Sequence, residues 1–252
     1  MPKYFNRGFE IEDRIIAAID GKTLQELKNN LRFSIKRMFN NIDEQKPFFA
    51  KKCEPFGKPD IEISHNGEKH YVSVKSGRSK EFHSENIQKF VGFLKEHDIG
   101  EKTIGALLHF HFGDGTTDGT GEKRMDYYDT MTAYKSEIEA ANSSLNRDKQ
   151  LILDMLDRVI FQGNYTELPA AEFIYKGDDE MGVLCSRNQI RKHVMRKSFT
   201  FYRTPHIGPM VVRPYARYAT GDGKYPEKRF IICFDWLDLD SDMEYISERY
   251  ND

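Results

Sequence analysis

A chain of 252 residues, 38% hydrophobic and 31% charged, can bury a core large enough for one elaborated α/β domain or two closely joined ones. It contains no apolar run of about 18 residues, so a membrane span is excluded. Its three cysteines, Cys53, Cys185 and Cys233, are far apart and without CxxC spacing, which argues against a disulfide framework or a zinc site and for a reducing compartment. Met1-Pro2-Lys3-Tyr4-Phe5-Asn6-Arg7 lacks an apolar signal region, so a cytoplasmic protein is expected. The net charge of −2 conceals an uneven distribution. Between Ser186 and Arg229, eleven Lys and Arg stand against Asp222 and Glu227, giving +9 there and −11 elsewhere. Phe199, Phe201, Tyr202, Tyr215, Tyr218 and Tyr225 are interleaved with those cations, as a surface that tracks phosphates requires.

In chain order, Phe9 to Ile19 predicts a helix with an apolar stripe at Ile11, Ile15, Ile16 and Ile19. Glu12 lies at the inward edge of that stripe, where a carboxylate needs a partner or a metal; Glu10 and Asp13 lie further round and are read as solvated. A second helix is expected over Leu24–Phe39. Lys58-Pro59-Asp60-Ile61-Glu62-Ile63 and Tyr71-Val72-Ser73-Val74-Lys75-Ser76-Gly77 then alternate as strands joined by Ser64-His65-Asn66-Gly67, a hairpin signal. Alternation puts Ile61, Ile63, Val72 and Val74 on one face and Asp60, Glu62, Ser73 and Lys75 on the other. A carboxylate beside a lysine on rigid strands can hold a divalent metal and position a water against a phosphodiester.

Phe82 to His97 is expected to be helical, with Ile87, Phe90, Val91 and Leu94 in register, and Ile104 to Phe112 to be a buried strand. His109 and His111 would share a face of that strand. No Asp, Glu or Cys is near enough in sequence to complete a metal site, so they are read as structural or surface histidines. Gly113 to Gly121 lacks both the Gly-Lys-Ser/Thr ending of a phosphate loop and the ligand spacing of a calcium loop. It reads as a flexible surface loop, with Lys123 and Arg124 following it toward DNA. Asp126 to Phe161 is expected to be helical. After Pro169 the chain turns strand-rich, at Ala171–Tyr175, Ser198–Tyr202, Met210–Tyr218 and Phe230–Trp236, with a short helix over Asn188–Met195. A soft boundary near Gln162 separates a catalytic portion, residues 1–162, from a strand-rich recognition portion, residues 163–252.

Pro59-Asp60, a spacer and Ser73-Val74-Lys75 resemble the motif of the PD-(D/E)xK nucleases, with serine where most members carry Asp or Glu. The order helix, hairpin, helix, strand over residues 9–112 matches the α-β-β-α-β nuclease core. Along its whole length the chain resembles the small type II restriction endonucleases that cut four-base sites with a central CG step. The matching segments are Gly8-Phe9 leading into Glu12, the hairpin motif, Arg124-Met125, Ala170-Ala171-Glu172-Phe173, Ile207 to Arg213 and Phe230 to Phe234. Pro214 and Tyr215 depart from the more basic, glycine-rich residues that relatives carry after Arg213.

The resemblance implies an α/β fold, a restriction-endonuclease-like mixed sheet flanked by helices with a strand-rich DNA-recognition portion. It also implies Mg²⁺ (or Mn²⁺) held by Asp60, the Val74 carbonyl and a second carboxylate. Glu12 and Glu62 compete for that second role, and Glu12 is favoured because its helix lies beside the site in relatives. Ser73 would assist directly or through a water, and Lys75 would orient or deprotonate the attacking water. Arg78 and Lys80 would grip the scissile backbone, with Gly77 allowing close approach. Arg203, Thr204, His206, Arg213 and Arg217 would read bases, while Lys123, Arg124, Arg187, Arg191, Lys192, Arg196 and Lys197 would contact phosphates. Implied partners are double-stranded DNA, a homodimer mate matching a palindromic site and a cognate DNA methyltransferase in the same host. The competing readings are a structure-specific nuclease of the same fold and a non-enzymatic DNA-binding module with a decayed site.

Overall fold

The computed structural model describes residues 7–77, 80–121, 123–163, 165–199, 203–221 and 223–250. Among them the elements run, in chain order, α1 (Arg7–Ile19), α2 (Asn29–Met38), β1 (Phe49–Lys52), β2 (Ile61–His65), β3 (Glu68–Lys75), β4 (Glu81–Asn86), α3 (Ile87–Glu96), α4 (Glu101–Phe112), α5 (Tyr127–Ala133), α6 (Lys135–Leu145) and α7 (Lys149–Leu156). There follow β5 (Phe173–Gly177), β6 (Gly182–Ser186), α8 (Arg187–Arg196), β7 (His206–Ile207), β8 (Met210–Pro214), β9 (Ile231–Trp236) and α9 (Leu239–Arg249). The chain is an α/β protein with sheets flanked by helices. It divides into two compact units, one from residues 1–79, 160–193 and 238–252, the other from residues 80–159 and 194–237. Among the described residues no helix is long and apolar enough to cross a membrane.

The first unit is built on a five-stranded mixed sheet in the order β1-β2-β3-β5-β6. The β2–β3 hairpin forms as its sequence dictates. Asn66 (φ 52°) and Gly67 (φ 83°) both take the left-handed conformation of a tight hairpin turn, and Ile61 pairs with Val72, Glu62 with Tyr71. β1 adds antiparallel to β2, and β5 adds parallel to β3, pairing Val74 with Tyr175 and Lys75 with Lys176. Ile61, Ile63, Val72 and Val74 meet Ile15 and Ile19 of α1 and Leu31, Ile35 and Met38 of α2 in one buried cluster. On β6, Leu184 joins that cluster. Its neighbour Cys185 faces the other way, its thiol 3.5 Å from the Met243 carbonyl of α9. Helices thus cover both sheet faces, as a sheet holding a parallel pair requires.

The second unit carries an antiparallel sheet in the order β4-β9-β8-β7. Phe90 of α3 packs edge-on to Phe234 of β9, with ring centroids 5.1 Å apart. Several expected elements differ in the structure. Phe82–Asn86 is strand rather than helix, and the helix starts only at Ile87, where the Asn86 side chain accepts from the Gln88 N–H at 2.8 Å. Ile104–Phe112 is the body of α4 rather than a strand, and Gly113 ends it in the left-handed conformation (φ 59°) that closes helices. The helix-hairpin-helix-strand order over residues 9–112 therefore does not hold. Leu24–Phe39 divides into a 3-10 turn at Leu24–Glu26 followed by α2, and Asp126–Phe161 breaks into three helices ending in a π-helical stretch, Asp157–Gln162. Of the expected strand Ser198–Tyr202, residues 200–202 lie outside the described residues.

Candidate active site

The site lies in the first unit, where the β2–β3 hairpin opens. Asp60 immediately precedes β2, and its main chain is held from both sides: its N–H donates to the Val72 carbonyl (2.9 Å) and its carbonyl accepts from the Cys53 N–H (3.0 Å). Its side chain bends over β3, where Oδ2 accepts from the Val74 N–H at 2.6 Å and from the Ser73 hydroxyl at 3.2 Å. Burial raises the pKa of this carboxyl above its ordinary value, and the Val74 N–H, the Lys75 charge and the Ser73 hydroxyl oppose that rise. Ser73 is itself buried, so it anchors Asp60 rather than facing solvent.

Glu12 reaches the same place from α1. Burial, and then the neighbouring Asp60 charge, push its pKa up to about 7, while Lys52 and Lys75 act to lower it. A half-buried Glu12 whose proton affinity is raised by burial and by the Asp60 charge, beside Lys52 and Lys75, is a carboxylate that a divalent cation would stabilise in its charged form. Glu62 is used differently. It is paired with Lys69 (3.0 Å) and Lys51 (3.4 Å), and although burial works to raise its pKa, those lysines bring it below the usual carboxylate value. Of the two competing carboxylates, Glu12 is the one left with like charge beside it.

The oxygen-only donors Asp60, Glu12 and the Val74 carbonyl suit a hard cation such as Mg²⁺. Among the described residues no group of three or more His, Cys, Asp or Glu side chains is arranged to hold a metal. Sequence reasoning missed Lys176. It lies beside Lys75 in the parallel pair and donates to the Gly77 carbonyl at 2.5 Å while pairing with Asp240 at 3.2 Å. It fixes the chain where it leaves β3, and only a pairing across about a hundred residues could have revealed it. At the other end of β3, His70 bridges Glu68 and Glu172, both at 3.0 Å, and Glu172 also accepts from the Tyr71 N–H.

The expected nucleic-acid contacts fare unevenly. Arg78 lies outside the described residues. Lys80 donates to the Leu237 carbonyl. Lys123, Lys192, Arg196, Arg203 and Arg217 are exposed, Arg217 lying over the Tyr225 ring, while Arg187, Arg191 and Lys197 are half-buried. Arg124 is buried and donates to the carbonyls of Phe110, His111, Met125 and Ala219. It thereby caps the end of α4 instead of facing DNA. Arg213 holds Asp235 through two nitrogens (2.6 and 3.0 Å) and Glu81 at 2.7 Å. His206 is buried against the Gly208 carbonyl, and Thr204 offers its own carbonyl to Asn142. Arg124, Arg213 and His206 thus hold the second unit together.

His109 and His111, now on a helix, are structural. His109 pairs with Glu137 at 2.9 Å. Fully buried His111 donates to the Arg229 carbonyl (2.6 Å), and burial and the Arg124 charge depress its pKa to about 4. The Gly113–Gly121 loop is laced by Asp114, which accepts from the Thr116 and Gly121 N–H groups.

No protein-family model matches the chain. No curated protein is detectably similar to it.

Proposed function

We propose that this chain is a Mg²⁺-dependent endonuclease that hydrolyses phosphodiester bonds in double-stranded DNA at a short specific site, in the manner of type II restriction enzymes of the PD-(D/E)xK superfamily. The observation that carries the reading is the Asp60 carboxylate, fixed by Val74 and Ser73 at the hairpin mouth, with Glu12 beside it and Lys75 acting on both. The strand pattern supports it further: three consecutive antiparallel strands, with a fourth added parallel to the strand that bears the lysine.

In this reading Asp60, Glu12 and the Val74 carbonyl hold the cation. A bound Mg²⁺ would polarise the scissile phosphoryl group and acidify a water. Ser73 keeps the Asp60 carboxylate aimed. Lys75 orients the attacking water and offsets negative charge growing on the phosphoryl oxygens. Lys176 holds the Gly77 carbonyl and thereby the strand end carrying Lys75. Phosphate tracking falls to exposed cations such as Lys192, Arg203 and Arg217.

The test is digestion of unmethylated plasmid and phage DNA with the purified protein, with Mg²⁺ or with EDTA. Discrete fragments formed only with Mg²⁺ support site-specific cleavage, and cutting confined to branched DNA would replace it with a structure-specific nuclease. A second reading, a DNA-binding module without activity, is favoured by Ser73 at the position where relatives carry an acid. Salt-sensitive DNA binding without cleavage under any divalent ion would establish it.

A further inference from the structure

Beside Asp60 the first unit holds two large aromatic rings out in solvent. The β1–β2 loop, Glu54-Pro55-Phe56-Gly57-Lys58-Pro59, is closed at its base by the bond from the Cys53 N–H to the Asp60 carbonyl, and turned at its tip by the Gly57 N–H donating to Glu54 (3.2 Å). Pro55 and Pro59 fix φ on either side, so the tip is stiff. Phe56 sits on it, 68% exposed. A second turn lies alongside. Gln162 braces it by donating to the carbonyls of Tyr165 (3.1 Å) and Leu168 (2.9 Å), and Tyr165 is 43% exposed. The two rings meet with centroids 5.8 Å apart and planes at 47°. The turns touch closely, since a Cβ on Gly163 would come within 3.0 Å of the Lys58 side chain.

Keeping apolar rings in water on braced loops is unfavourable and does nothing for the buried core, to which neither belongs. An isolated exposed aromatic is ordinary. Two in contact, one of them at the tip of the loop that leads into the candidate catalytic Asp60, suit a ligand with a flat face. The surrounding residues Glu54, Pro55, Thr166 and Glu167 are exposed, and all but Pro55 are polar; the patch therefore lacks the apolar breadth of a protein interface. Lys58 in the same loop suits a ligand that also carries phosphate.

We infer that Phe56 and Tyr165 form a nucleobase-stacking site that takes an unstacked base of the DNA strand next to the phosphate presented to Asp60. The inference rests on the nucleic-acid reading above and adds to it how the strand is gripped: a base leaves its stack and lies on the Phe56 ring, its partner strand excluded by the loop. A stiff, preformed platform loses little conformational entropy when it is occupied.

The test measures binding of two fluorescently labelled single strands of equal length, one with bases and one abasic, to the full chain in EDTA. Equal phosphate content isolates the stacking contribution. Wild type should bind the base-bearing strand roughly tenfold more tightly. Phe56→Ala and Tyr165→Leu should erase most of that preference while leaving the abasic affinity and the thermal unfolding midpoint unchanged, and Phe56→Trp should keep it. Equal affinities in wild type, or an undiminished preference in Phe56→Ala, would overturn the site. Asp60→Ala and Lys75→Ala should leave the preference intact. Loss of cleavage and loss of stacking are thereby read separately, and the stacking site can stand even if no cleavage is found.

Discussion

At the mouth of the β2–β3 hairpin, burial and then the Asp60 charge drive the Glu12 pKa up to about 7, although Lys52 and Lys75 act to lower it. Across β4, β9 and β8, Arg213 bonds both Asp235 and Glu81 directly, and although burial opposes it these acids hold the guanidinium pKa above its ordinary value. Both clusters are polar, and Asp60, Glu12 and Arg213 were all expected to serve the site or its contact with DNA. The difference is one of satisfaction. A cluster whose charges are already paired stabilises the fold, whereas one that leaves like charges adjacent is held there against its own electrostatics, which is what a binding or catalytic site requires.

The largest effect that sharpens this contrast is on cleavage. Asp60→Ala or Lys75→Ala should lower the rate by about 10²–10³-fold or more, with unfolding midpoints near wild type. Arg213→Ala should act the other way round. Removing the cation takes the guanidinium from Asp235 and Glu81 and should cost about 2–4 kcal/mol, measured by thermal or urea unfolding; an unchanged midpoint with altered base preference would return Arg213 to the recognition surface.

The pH dependence follows from Glu12. Its raised pKa means that the folded state binds the proton more tightly than the unfolded one. The stability this contributes is therefore full below about pH 4.5 and is lost as pH rises toward about 7. Mg²⁺ must displace the same proton, so calorimetry in buffers of different ionisation heat should detect proton release at pH 6, little at pH 9 and less in Glu12→Gln than in wild type at pH 6. His70, raised first by its hydrogen bond to Glu172 and also by Glu68, carries a similar sign. Its contribution is present below the ordinary histidine value of about 6.5 and fades as pH rises through its elevated folded pKa; His70→Asn should flatten that part of the stability profile. The smallest effect is expected at Arg217, exposed and lying over the Tyr225 ring. Arg217→Ala should shift stability by no more than about 0.5 kcal/mol while reducing the salt slope of DNA binding by about 1.

The sequence disclosed the hairpin because its signals are local: Asn66-Gly67 sets the turn, and period-two alternation sets which residues face the core. It disclosed α1 through a stripe that fits 3.6-residue spacing. It misled at Ile104–Phe112, where alternating histidines and large apolar residues imitate a strand. The discriminating signals were Gly113 as a helix terminator and the buried positions Ile104, Leu107 and Phe110 at helical spacing. Phe82–Asn86 was absorbed into the helix that follows, although Asn86 is a strong cap residue. The parallel pairing of β3 with β5, and with it the role of Lys176, has no local signal, because it joins segments about a hundred residues apart. The burial of Arg124 and Arg213 was equally illegible: a count of cations gives charge, and only the register of the strands and helix ends says where that charge is spent.

The most direct test compares cleavage of unmethylated supercoiled plasmid in Mg²⁺ by wild type, Asp60→Ala, Lys75→Ala, Glu12→Gln and Glu62→Gln, each first shown to be folded. Wild type and Glu62→Gln should cut, and the other three should not. Cutting that survives in Asp60→Ala, or that is lost in Glu62→Gln but not in Glu12→Gln, would contradict the assignment of the site.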